Sequence, residues 1–306
     1  MRTADAPGRP APRVVAIGGG HGAAQTLRAL KRYAGSVTAL ISVADDGGSS
    51  GRLREELGIP APGDLRRCIG ALLPDASPIA AALEHRFEEG ELAGHAFGNL
   101  LIAALADAAG DFVAGVAEAA RITGAAGTVL PASAVPVVLK GSGAGGEVNG
   151  QVRIKRQGGV TKVVLVPPDA SPPPGAVEAL EAADQVVIGP GSLYTSLLAA
   201  TAVDGLRAAL ETTSAQRVYV ANLREQPPET VGFDVADHVR ALADHGVAVD
   251  VVLADPAALP LGEMPEGPEL VLAELASPGA GAHDPERLAA ALSALALAAA
   301  GRPGQR

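Results

Sequence analysis

Glycine-rich segments that carry charged and hydroxyl side chains are the parts of this sequence best suited to bind a ligand. The first is Gly18-Gly19-Gly20-His21-Gly22, which follows a short apolar run. Glycine allows positive φ and lets backbone N–H groups approach an anion closely, and a helix after the turn directs its positive dipole end to the same place. The segment predicts a phosphate-binding turn, while the alternative is a turn that needs glycine for packing alone. No Lys-Ser or Lys-Thr pair follows, which excludes a Walker A loop.

The second segment, residues 44–54, reads Ala-Asp-Asp-Gly-Gly-Ser-Ser-Gly-Arg-Leu-Arg. Asp45 and Asp46 are suited to hold a ribose hydroxyl, a sugar hydroxyl or a hydrated Mg²⁺. We expect a loop whose N–H groups form a nest for a phosphate, with Arg52 as a bidentate clamp. The residues of the expected nest are Gly47, Gly48, Ser49, Ser50 and Gly51. The alternative is a flexible loop whose aspartates and arginines pair with each other.

A third segment, Gly-Pro-Gly-Ser-Leu-Tyr-Thr-Ser at residues 189–196, repeats the order of strand, glycine and helix. Gly189, Gly191, Ser192 and the N–H groups that follow predict a second anion site, because the start of a helix attracts negative charge. Asn222, at the end of the next predicted strand, is expected to complete the same edge. Two neighbouring turns of this kind suit a diphosphate.

Two further segments leave alternatives open. In Gly-His-Ala-Phe-Gly-Asn-Leu-Leu, Asn99 is expected to reach a ligand, with a helix cap as the alternative, and His95 either reaches a ligand or packs the loop. In Pro-Ala-Pro-Gly-Asp-Leu-Arg-Arg, Asp64 is predicted to cap a helix. Arg66 and Arg67 after it either bind an anion or are solvated.

The elements that must position these residues follow from the apolar periodicity. Strands are predicted at 14–17, 37–43, 162–166, 185–188, 217–220 and 249–253. Helices are predicted after the first glycine turn, at 176–183 and 193–200, through most of 64–125 with a cap at Asp111, and near the C-terminus after Asp284. Short strands with a glycine-rich turn are predicted within 129–160.

Strand–helix alternation predicts an α/β fold: a Rossmann-like, doubly wound, mostly parallel sheet with helices on both faces and an appended β-hairpin. Residues 1–12 are predicted to be a disordered tail, and residues 13–301 a single domain. Ligands of such sheets bind at the carboxyl ends of the strands. That is where the glycine-rich segments fall, which is the main inference from the sequence.

Composition excludes several classes of function. A formal charge of −10 and an aromatic content of 2% disfavour nucleic acid as a partner. The single cysteine, Cys68, lies in an apolar stretch and is expected to be a buried thiol. No signal peptide and no apolar run long enough to span a bilayer are visible, so we expect a cytoplasmic protein without membrane insertion. His85, His238 and His245 are expected on the surface, and no triad or zinc motif is present.

Taken together, the motifs resemble those of the bacterial gluconeogenesis factor (YvcK-type) family, within the CofD-like superfamily. The matching stretches are I-G-G-G-H-G (17–22), A-D-D-G-G-S-S-G-R-L-R (44–54), P-G-D-L-R (62–66), G-H-A-F-G-N-L (94–100), V-I-G-P-G-S-L-Y-T-S (187–196) and N-L-R-E-Q-P-P-E-T (222–230). The resemblance implies a Rossmann-like sheet, cytoplasmic location and binding of UDP-sugars such as UDP-glucose or UDP-N-acetylglucosamine. It also implies a role in cell shape and wall-precursor supply during gluconeogenic growth.

The leading interpretation is a regulator without catalytic residues that binds a nucleotide sugar, forms a homo-oligomer and acts on unidentified protein partners. The alternative is a 2-phospho-L-lactate transferase of the CofD type, which joins a nucleotide-activated phospholactate to a deazaflavin precursor with Mg²⁺. Under that alternative Asp45 and Asp46 bind the metal and Arg52 steadies the phosphoryl group. An NAD-dependent dehydrogenase is a third, weaker interpretation, because no catalytic histidine or lysine is evident.

Overall fold

The computed structural model describes residues 10–277 and 279–301, so residues 1–9 of the predicted tail lie outside the described part. The strands are β1 (Arg13–Gly18), β2 (Ser36–Ile41), β3 (Thr128–Pro131), β4 (Val138–Gly143), β5 (Gly146–Asn149), β6 (Val160–Val166), β7 (Gln185–Ile188), β8 (Gln216–Val220), β9 (Val251–Ala254) and β10 (Glu269–Leu272). Seven of these strands form one sheet in the order β10-β9-β8-β7-β1-β2-β3, and all of its pairings are parallel. The predicted doubly wound sheet with helices on both faces is confirmed.

Helices connect most of the strands. They are α1 (Gly20–Leu30), α2 (Gly48–Leu57), α3 (Gly63–Leu72), α4 (Pro78–Glu84), α5 (Phe97–Ala109), α6 (Phe112–Thr123), α7 (Gln151–Gln157), α8 (Ala176–Glu181), α9 (Leu198–Thr201), α10 (Asp204–Thr212), α11 (Val235–Asp244) and α12 (Pro285–Ala300), with a π-helical turn (Leu193–Leu197) leading directly into α9. No helix in the described ranges is both long and apolar enough to cross a membrane.

The direction of winding reverses between β1 and β7. From β1 the chain proceeds through β2 to β3 on one side, whereas β7, β8, β9 and β10 follow one another on the other side. The central strands β1 and β7 are buried except for Arg13 at the start of β1, which explains why they read as apolar runs. The point of reversal is where ligands of open α/β sheets bind, and the turns after β1 and β7 both lie there.

The predicted hairpin is present as β4 and β5, and it belongs to a second sheet. This antiparallel sheet has the order β5-β4-β6. β6 was expected in the parallel sheet, and that expectation is wrong. Along β6, Val163 and Leu165 are buried whereas Val164 and Val166 are exposed, an alternation typical of an antiparallel sheet with one solvated face. β10, at the edge of the large sheet, was not predicted.

Predicted helix caps were confirmed where the capping side chain directly precedes its helix. The side chain of Asp111 accepts a hydrogen bond from the N–H of Ala114 at 2.6 Å, and Asp284 likewise caps α12. Cys68 is buried, as expected. His85 is exposed, but His238 is only 1% exposed and His245 is half-buried, so both were wrongly placed on the surface.

Candidate functional site

The turns after β1 and β7 touch each other at the point of reversal. A Cβ atom added to Gly22 would collide with the carbonyl oxygen of Pro190, so α1 begins directly against the second turn. The hydroxyl of Thr26 donates a hydrogen bond to the carbonyl oxygen of Gly189 at 2.7 Å. Gly20 has φ of 64°, a conformation that favours glycine. Two segments distant in sequence therefore form one continuous wall.

Within the described residues, no acceptor pairs with the backbone N–H of His21 or Gly22 at the start of α1. These are the N–H groups that a helix leaves without an internal partner. His21 itself is exposed, and its pKa lies below the usual value because of desolvation and the nearby positive charge of Arg67. The first turn thus offers the unpaired donors that an anion site requires.

Asp64 lies against the first glycine turn. A Cβ atom added to Gly19 would lie 2.8 Å from Asp64 Oδ2, and the N–H of Gly20 donates a hydrogen bond to the same carboxylate. Arg67 Nη1 donates to Asp64 Oδ1 at 2.8 Å. Burial raises the pKa of Asp64, and the negative charge of Asp45 raises it further, while Arg67 and Gly20 act in the opposite direction.

The contact between Asp64 and the first glycine turn was not predicted from the sequence. Asp64 was predicted to cap a helix, but α3 begins at Gly63 and its cap position is Pro62, so Asp64 lies inside the first turn. A cap at Asp64 would start the helix at Leu65, whereas the helix starts at Gly63. The available signal was an acid followed by two arginines in Pro-Ala-Pro-Gly-Asp-Leu-Arg-Arg, for which an anion-binding role had been left open.

Asp45 is next to Asp64 because α2 and α3 begin side by side. A Cβ atom added to Gly63 would collide with Ser50 Oγ and would lie 3.5 Å from Asp45 Oδ2. The other oxygen, Asp45 Oδ1, accepts a hydrogen bond from the N–H of Gly47 at 3.1 Å. The expected nest-forming loop over 44–54 and its alternative, a flexible loop, both end at Gly47, since α2 starts at Gly48.

Asp46 faces away from Asp45 and holds a different element. Its Oδ1 accepts a hydrogen bond from the N–H of Val152 at 2.8 Å, and a Cβ atom added to Gly150 would collide with its Oδ2. Asp46 therefore anchors the start of α7. The structure brings Asp45 together with Asp64 as the carboxylate pair of the edge, and not with Asp46.

Ser49, His95 and Asn99 form a buried cluster behind the edge. The Ser49 hydroxyl lies 3.1 Å from His95 Nδ1, and Asn99 Nδ2 donates a hydrogen bond to the same hydroxyl at 3.0 Å. Burial, together with the charge of Arg52, lowers the pKa of His95. Asn99 Oδ1 is buried with no hydrogen-bond partner among the described residues. This cluster fixes α2 against α5, so Asn99 is not a simple helix cap.

Arg52 points to the loop before α5. Its Nη2 donates a hydrogen bond to the carbonyl oxygen of Ala93 at 2.9 Å, and Gly94 lies against the guanidinium. The predicted clamp therefore has a protein acceptor in this structure. Arg67, beside Asp64, is the arginine that lies next to the first glycine turn.

The second glycine turn differs from its prediction. Glu229 Oε1 accepts hydrogen bonds from the N–H groups of Tyr194, at 2.7 Å, and Thr195, at 3.2 Å, and Oε2 accepts from the Thr195 hydroxyl at 2.8 Å. Glu229 is only 5% exposed. The predicted anion site after Ser192 is therefore filled by a carboxylate of the chain itself. Glu229 was missed because its turn is distant in sequence and carries no periodic signal.

Asn222 completes this edge through the backbone of the second turn. Its Nδ2 donates to the carbonyl oxygen of Gly191, and its Oδ1 accepts from the N–H of the same glycine, both at 3.0 Å. The expectation that Asn222 lies at this edge is confirmed in position. Its side chain holds the turn rather than pointing freely outward.

The strand-end cleft is defined here by Gly19, Gly20, His21, Asp45 and Asp64, with Arg67 and Gly191 beside them. It presents unpaired N–H donors, one arginine and two adjacent carboxylates. Such a combination binds a phosphate through the donors and a hydroxyl or a divalent cation through the carboxylates. Of the predicted site residues, the structure directs Asp46, Ser49, Arg52 and Asn99 to protein partners.

Comparison with known proteins places this arrangement in a family. A family model described as 2-phospho-L-lactate transferase CofD matches residues 14–269. The chain belongs to the CofD family. This match spans every segment that forms the cleft, and it confirms the family predicted from the glycine-rich motifs.

Relatives support the bacterial branch of the family. A "Gluconeogenesis factor" from Bacillus subtilis (strain 168) is 42% identical over 238 residues, which cover 76% of this chain and 75% of that protein. A relative from Nostoc sp. is 43% identical over 236 residues, 76% of this chain, and the match spans 51% of its own length. The crystal structure of a UPF0052 family protein from Bacillus halodurans has a TM-score of 0.85 and 36% identity, with 93% of this chain and 99% of that chain covered.

Proposed function

We propose that this CofD-family protein binds a UDP-sugar, such as UDP-glucose or UDP-N-acetylglucosamine, in the strand-end cleft and acts as a regulator. The observation that carries the proposal is the convergence of the Gly19–Gly22 turn, the Asp45–Asp64 pair and the 189–191 turn at the reversal of the sheet. Ligands of this fold class bind at that point.

Each part of the cleft suits one part of the ligand. The N–H groups of His21 and Gly22 and the guanidinium of Arg67 favour the diphosphate, since all of them are donors next to the positive end of α1. The carboxylate of Asp45 favours a ribose or sugar hydroxyl as a hydrogen-bond acceptor. No serine, threonine or cysteine nucleophile is among the residues that define the cleft, which favours binding over catalysis.

The physiological part of the proposal follows from the relatives that are named gluconeogenesis factors. We infer that the protein acts in the cytoplasm, where nucleotide sugars are made, and supports cell shape and wall-precursor supply during gluconeogenic growth. The bound sugar would report precursor supply to protein partners, and the assembly would be a homo-oligomer.

Calorimetric titration tests the binding step. Wild-type protein is expected to bind UDP-N-acetylglucosamine or UDP-glucose, and Asp45→Asn is expected to weaken binding about tenfold or more, because a hydrogen bond to a charged group contributes about 1.5–3 kcal/mol. Asp107→Asn, an exposed change on α5, serves as the control and should leave the affinity unchanged. Absence of binding to both sugars by wild-type protein would overturn the proposal.

A second candidate is a Mg²⁺-dependent phospholactate transferase, and one observation favours it. Asp45 lies close enough to Asp64 for its negative charge to raise the pKa of the Asp64 carboxyl. Mg²⁺ in such sites is held by one or two carboxylates together with substrate phosphates. The two carboxylates therefore fit the metal, with Asp64 in the place first assigned to Asp46. The metal would neutralise the phosphate charge while Arg67 orients the phosphoryl group.

Thermal shifts separate the candidates. A ligand at about 100 times its dissociation constant adds about 2.7 kcal/mol of stability. A shift with GDP that requires Mg²⁺, without any shift from UDP-sugars, would favour the transferase, and Asp64→Asn should then lose the Mg²⁺-dependent shift. A shift with NAD alone would instead favour a dehydrogenase.

A further inference from the structure

A groove separate from the strand-end cleft lies between β5 and α7. Its volume is about 480 Å³, within the range of about 300–1,000 Å³ that is usual for small-molecule sites. The residues that line it are Glu147, Val148, Asn149, Arg153, Arg156 and Gln157. None of them belongs to the cleft, and none was singled out from the sequence.

The groove is positively charged although the whole chain carries −10. Arg153 and Arg156 are three residues apart on α7 and so lie on one face of that helix. Glu147 is the only acidic residue of the lining, and Lys140 Nζ pairs with its Oε2 at 2.8 Å. The acid is therefore already neutralised, and the two guanidinium groups determine the charge of the groove.

The two arginines differ from three helical arginines that are paired within their own helices. On α6, α10 and α11, Arg121, Arg207 and Arg240 each pair with an acidic residue three positions earlier in the same helix. Helix α7 reads Gln-Val-Arg-Ile-Lys-Arg-Gln and contains no acid. Within the described ranges, neither Arg153 nor Arg156 forms a salt bridge or a hydrogen bond with protein. Their charge remains available to a ligand.

The chemistry of the lining selects the ligand class. Guanidinium groups bind phosphate oxygens through paired hydrogen bonds, and the side-chain amides of Asn149 and Gln157 add further donors. We propose that this groove binds the phosphate group of a phosphorylated small molecule. The inference stands on the groove alone and does not depend on the UDP-sugar proposal.

The groove also shares a structural element with the cleft. Asp46, from the same segment as Asp45, accepts the hydrogen bond from Val152 that fixes the start of α7. A Cβ atom added to Gly47 would lie 3.0 Å from the side chain of Val152. A phosphate bound to Arg153 and Arg156 would therefore contact the helix whose first turn donates a hydrogen bond to Asp46. Asp46 directly follows Asp45 of the cleft, so this segment connects the groove with the cleft.

Nitrogen-15 NMR of the full chain tests the site directly. Glucose 6-phosphate and inorganic phosphate are expected to shift the Nε–Hε signals of Arg153 and Arg156 to saturation, whereas glucose should not. The double variant Arg153→Gln/Arg156→Gln is expected to bind glucose 6-phosphate at least about tenfold more weakly. The control Lys155→Gln removes the same kind of charge from the same helix outside the groove, and should change the affinity less than about threefold.

Two results would overturn the proposal: no shift of the arginine signals, or an equal loss of affinity in Lys155→Gln, which would indicate unspecific attraction. A repeat titration with saturating UDP-N-acetylglucosamine identifies the source of the phosphate. Unchanged binding would assign the groove to a separate phosphorylated effector. Competition, together with weaker UDP-sugar binding by the double variant, would assign it to the far end of a single ligand.

Discussion

The two glycine turns at the point of reversal have the same order of strand, glycine and helix, yet the helices after them begin in different surroundings. At the start of α1, the N–H groups of His21 and Gly22 have no acceptor within the described residues. At the start of the π-helical turn, the N–H groups of Tyr194 and Thr195 are both bonded to Glu229.

This difference separates a turn with N–H groups that have no acceptor among the described residues from a turn with two N–H groups bonded to Glu229. A helix start attracts negative charge whether it comes from a ligand or from a side chain of the same protein. In the second turn, Glu229 accepts from the N–H groups of Tyr194 and Thr195, and Asn222 accepts from that of Gly191. The first turn keeps unpaired donors, and the acid nearest to it, Asp64, is partly occupied by Arg67.

The strongest test of this comparison is Glu229→Ala. The change leaves two buried N–H groups and the Thr195 hydroxyl without their acceptor, and each unsatisfied buried group costs about 1–3 kcal/mol. We expect the free energy of unfolding to fall by about 3 kcal/mol in urea denaturation. The exposed Glu225→Ala is the matched control and should change it by less than about 0.5 kcal/mol.

An added anion sharpens the same test. In Glu229→Ala the vacated N–H groups become a site for sulfate, so sulfate should raise the melting temperature of the variant more than that of wild-type protein. An unchanged unfolding free energy in the variant would show that Glu229 is not what satisfies the second turn, and the contrast between the turns would be lost.

A smaller loss of stability is expected for Asn222→Ala. The variant removes both hydrogen bonds to the backbone of Gly191, and we expect the free energy of unfolding to fall by about 2 kcal/mol. The exposed Asn149→Ala is the control for an asparagine without such bonds. If the second turn does not contact the ligand, UDP-sugar affinity should fall less in Asn222→Ala than in Asp45→Asn. The reverse order would place the ligand on the second turn.

The smallest effect, with the opposite sign, is expected for Asp64→Asn. The folded-state pKa of Asp64 is raised, so folding disfavours its ionised form. The loss of stability begins as the pH rises above the pKa of an unfolded aspartate and is complete above the folded-state pKa. Asparagine removes this cost, and the variant is expected to melt slightly higher than wild-type protein at pH 7. The advantage should shrink as the pH falls towards the pKa of an unfolded aspartate, because wild-type Asp64 then becomes protonated.

Melting curves of both proteins between pH 4 and pH 8 measure this dependence, and ligand titration gives its functional counterpart. A higher melting temperature combined with lost binding is the behaviour of a residue kept for function at the expense of stability. A lower melting temperature at pH 7 would instead mean that the Arg67 pair outweighs the burial of the carboxylate.

Much of the fold was predictable because its signals are local. β7 was predicted with its observed bounds, β1 within one residue at either end, and the caps of α6 and α12 were identified from Asp111 and Asp284. Buried parallel strands read as apolar runs, and caps lie within a few residues of the groups that they satisfy.

The errors concern groups that are distant along the chain. Helix α2 was taken for a loop because its first four residues are glycines and serines, which have lower helix propensity than alanine or leucine. Packing against α5 through Ser49 overrides that preference. β6 was assigned to the wrong sheet because pairing partners are not encoded in one strand. Asp46 and Arg52 were assigned to the ligand because their partners, Val152 and Ala93, are far away in sequence.

By itself, the sequence determined that glycine turns, paired acids and arginines would gather at one edge of a parallel sheet, because strand order and residue type are enough to place them there. Only the tertiary structure decided which of those groups remain available. A backbone donor or a carboxylate is satisfied by the partner that lies within reach in space. Glu229 and Val152 come from distant parts of the chain, whereas Arg67 follows Asp64 by three residues.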